Sequence, residues 1–62
     1  MNDIELLTPR QAADALKVTP AALSRFRLES RGPAFLKVGR LVRYTRRDLE
    51  DYLDSSRIKA GK

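Results

Sequence analysis

Eleven residues separate two copies of the same short instruction, Leu7-Thr8-Pro9 and Val18-Thr19-Pro20. In each, an apolar residue precedes a threonine that can cap a helix and a proline suited to the first turn. Starts this close leave room for about two turns of first helix and a tight connection before the second. A short helix, a tight turn and a second helix packed against it is therefore the frame on which the rest of the chain must be built.

The sequence supports both helices beyond their starts. Gln11 stands three residues after Thr8 and completes a capping box, and Leu7 is placed to staple onto Ala12. Ala12, Ala13 and Leu16 form the inward stripe of a helix over about 9–16, and the alanines permit close approach of a neighbour. Lys17-Val18 makes the turn. The second helix, about 20–29, turns Leu23 and Phe26 inward and Ala21, Ser24, Arg25 and Leu28 outward. Ser30-Arg31-Gly32-Pro33 stops it, because Pro33 disfavours helical geometry at Gly32.

Phe35-Leu36-Lys37-Val38 and Val42-Arg43-Tyr44 flank Gly39-Arg40-Leu41 and read as a β-hairpin. A two-residue Gly39-Arg40 turn would pair Lys37 with Val42 and mix charged with apolar side chains on one face. A three-residue loop pairs Val38 with Val42, Leu36 with Tyr44 and Lys37 with Arg43, separating an apolar face from a basic one. The expected register is the second. Thr45 then caps a third helix, with Asp48 closing its capping box and Leu49, Tyr52 and Leu53 facing inward. The predicted fold is mostly α with a small β-hairpin, a winged helix-turn-helix in the order α-α-β-β-α. It forms one domain over 1–62, with an ordered core of about 6–55 and a tail over 56–62 expected to fray.

Charge is placed as well as abundant. The net charge is +5, and Arg25, Arg27, Arg31, Lys37, Arg40, Arg43, Arg46 and Arg47 face a single acid, Glu29, between Arg25 and Arg47. The segments on either side each carry −1. A basic middle between faintly acidic ends suits a polyanion approached from one direction. A helix entering the major groove needs slim residues near its N-terminus, and Thr19, Ala21, Ala22 and Ser24 meet that need. Arg25 can bond a guanine edge twice or grip phosphate, and composition does not choose between them. Arg27 lies on the same helix. On the wing and its flanks, Arg40 at the tip suits a narrow minor groove, while Lys37, Arg43, Arg31 and Arg46 suit phosphate.

Other chemistry has little to work with. Cysteine and histidine are absent, so disulfides, thiolate metal sites and the commonest general base are excluded. Asp48, Glu50, Asp51 and Asp54 serve a cap and a solvated helix with Arg46 and Arg47 one turn earlier; no catalytic residue, metal or cofactor is expected. No apolar run approaches the roughly 20 residues that span a bilayer, and Met1-Asn2-Asp3-Ile4-Glu5 is acidic where a signal peptide is basic. The expected compartment is the cytoplasm. Leu28 and Leu41 fit neither core nor phosphate-binding face; they are either isolated surface leucines or contacts to a neighbouring protomer.

Taken in order, Leu7-Thr8-Pro9 through Leu16, Val18-Thr19 into Leu23-Ser24-Arg25-Phe26-Arg27, Arg31-Gly32-Pro33-Ala34-Phe35-Leu36-Lys37-Val38-Gly39-Arg40, Val42-Arg43-Tyr44 and Asp48-Leu49-Glu50-Asp51-Tyr52-Leu53 resemble the excisionase family. These are small winged-helix proteins distantly related to MerR-like DNA-binding domains. The likeness covers about residues 6–54, and the Gly-Pro-x-Phe, Val-Gly-Arg and Val-Arg-Tyr block is its most specific part. It implies a bacterial or phage recombination directionality factor on double-stranded DNA. Such a protein is not an enzyme: it binds beside an attachment site, bends DNA and steers a tyrosine-type integrase toward excision. Pro20, Ala21, Ala22 and Ser24 depart from the arginine, threonine or tyrosine usual on the reading helix, and Ser30 replaces a customary glycine. Leu28 and Leu41 stand where charged or polar residues are common. A reading face so poor in donors implies modest specificity and several copies bound cooperatively side by side. A transcription regulator of the same fold is the second reading. A module binding an acidic protein is the third.

Overall fold

The computed structural model describes residues 5–58, in the order α1 (Pro9–Leu16), α2 (Pro20–Leu28), β1 (Leu36–Val38), β2 (Leu41–Arg43) and α3 (Arg46–Ser55). The threonines act as expected. Thr8 accepts from the Gln11 amide while the Gln11 side chain accepts from the Thr8 amide, at 3.1 and 2.9 Å. Thr19 accepts from the Ala22 amide at 3.0 Å. Thr45 and Asp48 repeat the reciprocal pair at the start of α3. Each cap satisfies amides that the first turn leaves without a helical partner.

The turn between α1 and α2 closes through Lys17, which is left-handed (φ +62°), and a bond from the Val18 amide to the Ala13 carbonyl at 3.0 Å. This terminates α1 and brings α2 across it. Ala12, Ala13 and Leu23 are fully buried at the crossing, joined by Tyr44 and Leu49, with Leu7, Leu16, Val18, Phe26 and Val42 packed around them. The core thus draws on every helix and on the hairpin's exit.

The hairpin register differs from the expectation. Val38 pairs with Leu41, Lys37 with Val42 and Leu36 with Arg43, so the turn is the two-residue Gly39-Arg40. Gly39 has φ +64° and Arg40 is not left-handed, the pattern of a type II′ turn whose twist suits antiparallel strands. Tyr44 does not pair with Leu36. Its backbone exchanges two hydrogen bonds with Leu7, at 2.7 and 2.9 Å, so the segment entering α1 runs beside the strand leaving the wing. The face argument failed because β1 is exposed along its whole length, so burial of its side chains exerts no pull on the register. Alternation puts Val42 and Tyr44 on the buried side and leaves Leu36, Val38, Leu41 and Arg43 together on the other.

One further correction concerns α3. Leu53, expected inward, is 49% exposed, whereas Leu49 holds its place in the core. The expected fraying of 56–62 falls partly on residues 59–62, outside the described residues; Ser56 still caps α3 through bonds to Tyr52 and Leu53. No described helix is long and apolar enough to cross a membrane.

After α2 the chain reverses through Ser30 (φ +56°) and Gly32 (φ +88°), with the Arg31 amide returning to the Phe26 carbonyl at 2.9 Å. A left-handed serine costs about 1 kcal/mol that glycine does not incur. Ser30→Gly should therefore raise stability by about 0.5–1 kcal/mol, and thermal melting with a midpoint several degrees higher is the expected result. An unchanged or lower midpoint would show that Ser30 is not strained.

Candidate nucleic-acid interface

The outward face of α2 follows from which of its side chains the core takes. Leu23 is buried and Phe26 half-buried, so Ala21, Arg25 and Leu28 lie on the opposite side and are exposed, while Ala22 and Ser24 flank them half-buried. Thr19 is exposed just before the helix. The surface near the N-terminus of α2 is therefore slim, and Arg25 follows on the same exposed side in the last turn of the helix.

Arg27 takes another direction. Its guanidinium donates to the Tyr44 hydroxyl at 2.8 Å and lies 5.9 Å from the centre of the Phe35 ring. Phe35 enters β1 and Tyr44 leaves β2, so the hairpin is rooted on the Arg27 side of α2. At about 100° per residue, Ser24, Leu28 and Ala21 follow Arg27 round the helix within about 120°. The wing thus stands at the edge of the exposed face of α2.

The cations divide by partner. Arg31 pairs with Glu29 at 2.7 Å and lies 4.7 Å over the Phe26 ring. Arg46 reaches Glu5 at 3.6 Å, Arg47 reaches Asp51 at 3.5 Å and Arg57 reaches Asp54 at 3.2 Å. Among the described residues, Arg25, Lys37, Arg40 and Arg43 have no carboxylate within 4.0 Å. Arg43 instead donates to the Val42 carbonyl at 2.7 Å and, opposite Leu36, does not sit beside Lys37 as the expected register required. Three of the four carboxylates of α3 are occupied, Asp48 in its cap and Asp51 and Asp54 with arginines, while Glu50 is exposed.

Sequence reading passed over two candidates. Arg10 and Lys17, near the two ends of α1, are exposed and also lack a carboxylate among the described residues. In this kind of two-helix unit the first helix crosses the sugar-phosphate backbone, where isolated cations are useful. Their signal was hidden because the charge of residues 1–24 sums to −1.

A family of proteins described as the helix-turn-helix domain matches residues 6–57, nearly the whole described chain. The chain belongs to the helix-turn-helix domain family. No curated protein matches it. The arrangement above is what a helix-turn-helix DNA-binding domain requires: α1 and α2 form the crossed pair, and the hairpin between α2 and α3 is the wing.

Proposed function

We propose that this domain is an excisionase, a recombination directionality factor that binds double-stranded DNA beside an attachment site and steers a tyrosine-type integrase toward excision. The observation that carries the DNA-binding part is the set of cations on α2 and the wing that lack a carboxylate partner among the described residues, bordering a slim helix face. Thr19, Ala21, Ala22 and Ser24 let the backbone of α2 approach base edges, and Arg25 supplies the long contact. Arg40 at the turn reaches the adjacent minor groove, and Lys37 and Arg43 bind phosphate. Arg31 and Arg46 join them by exchanging exposed carboxylates for phosphate, a trade that costs little because exposed ion pairs contribute about 0–1 kcal/mol.

The scarcity of hydrogen-bond donors on α2 supports a factor that relies on DNA shape and several bound copies. Leu28 is 84% exposed and Leu41 54%, available to a neighbouring copy on DNA. A footprint across the attachment region of the host element tests this reading. Several phased adjacent sites are expected, and Leu28→Glu should weaken cooperativity while sparing single-site affinity. A single palindromic promoter site, with no effect on excision when the neighbouring integrase is supplied, would instead identify a transcription regulator.

A further inference from the structure

Arg27 sits on the helix that reads DNA, yet its guanidinium is turned toward the protein. It donates to the hydroxyl of Tyr44, a side chain with no solvent exposure, at 2.8 Å. Its other neighbour is the Phe35 ring, itself tilted against Tyr44 with centroids 6.3 Å apart. Tyr44 is in turn bonded through its backbone to Leu7 at the entrance to α1. Both ends of the wing therefore meet one guanidinium on α2.

We infer that Arg27 is a positioning residue that fixes the wing against α2, rather than a DNA contact. The wing makes few other holds: β1 is exposed throughout and only Val42 of β2 packs on the core. A wing held in place before binding does not lose that freedom on DNA, so helix and wing can engage adjacent grooves together. A hydrogen bond from a charged donor to a buried hydroxyl is strong enough to set such an angle. This inference rests on the DNA-binding reading above and is tested so that the two can fail separately.

Arg27→Met keeps an unbranched apolar stem and removes the guanidinium donor; Tyr44→Phe keeps the ring and removes the acceptor. Binding is measured to a footprinted duplex and to the same duplex cut back at the wing's flank, over a range of salt. Each variant should lose roughly tenfold on the full duplex, and the double variant should lose no more than either single. Affinity for the shortened duplex and the salt slope should stay at wild-type values. Equal losses on both duplexes, no loss on either, or a slope reduced by about one with Arg27→Met alone would overturn the assignment. Amide order parameters of residues 36–43 in the free proteins need no DNA. Both variants should lower them, and unchanged values would also overturn it, whereas a wild-type protein that ignores duplex DNA would refute the function and not the strut.

Discussion

Gly32→Ala should remove most of the stability of this domain. A Cβ at Gly32 would lie 2.7 Å from the Phe26 Cβ and 2.9 Å from its Cδ2. The first of these atoms is fixed to the backbone of α2, so it cannot swing aside as the tip of a long side chain could. The backbone is also left-handed there, at φ +88°, which costs alanine about 1–2 kcal/mol before any clash. Forcing a methyl group into filled space adds about 1–3 kcal/mol. A domain of this length is held by roughly 3–9 kcal/mol, at 0.05–0.15 kcal/mol per residue. Thermal unfolding by circular dichroism should show a midpoint lower by 10 °C or more, on the order of 4–8 °C per kcal/mol. Gly39→Ala is the control: its φ is +64°, but nothing lies within 4 Å of the added atom, so only the backbone cost of about 1 kcal/mol remains. Equal effects of the two substitutions would show that Phe26 yields and that the turn after α2 is not the tight point described.

The contrast between these glycines also shows what could be read before the structure. The helix starts were legible because capping is local: Thr8, Thr19 and Thr45 each act on an amide three residues away. The stop after α2 was legible for the same reason, through Gly32 and Pro33. The wing's register was not. It was argued from side chains seeking a buried face, while the two-residue turn at Gly39 and the pairing of Tyr44 with Leu7 decided it. That bridge joins residues too far apart in the chain for any local pattern to reveal. Leu53 was misassigned because helical spacing places it near Leu49, although the core ends before reaching it. In the candidate interface, the exposed face of α2 was legible from periodicity. The orientation of Arg27 was not, since its partner lies 17 residues away.

Arg25→Ala should produce the second large effect, on DNA and not on folding. Arg25 is exposed, lacks a carboxylate partner among the described residues and belongs to the outward side of α2. Stability should change by no more than about 0.5 kcal/mol, as for surface substitutions away from special contacts. Duplex affinity should fall. If the guanidinium bonds a guanine edge, the loss is about 1–3 kcal/mol on the preferred sequence and smaller on others, because only the right base offers two acceptors. If it grips phosphate, the loss is uniform across sequences and the salt slope shrinks by about one. Comparing two duplexes that differ at one base pair separates these outcomes. Full retention of affinity on every duplex would remove α2 from the interface.

Salt dependence of wild-type binding to a short duplex tests the central claim most directly, since on the proposed reading phosphate contacts by Lys37, Arg43, Arg31 and Arg46 release bound counterions. With those four engaged, the logarithm of the binding constant should fall with the logarithm of salt at a slope of about −4. A slope near −1 or −2 would contradict the account, because the wing and its flanks would then not be meeting DNA together.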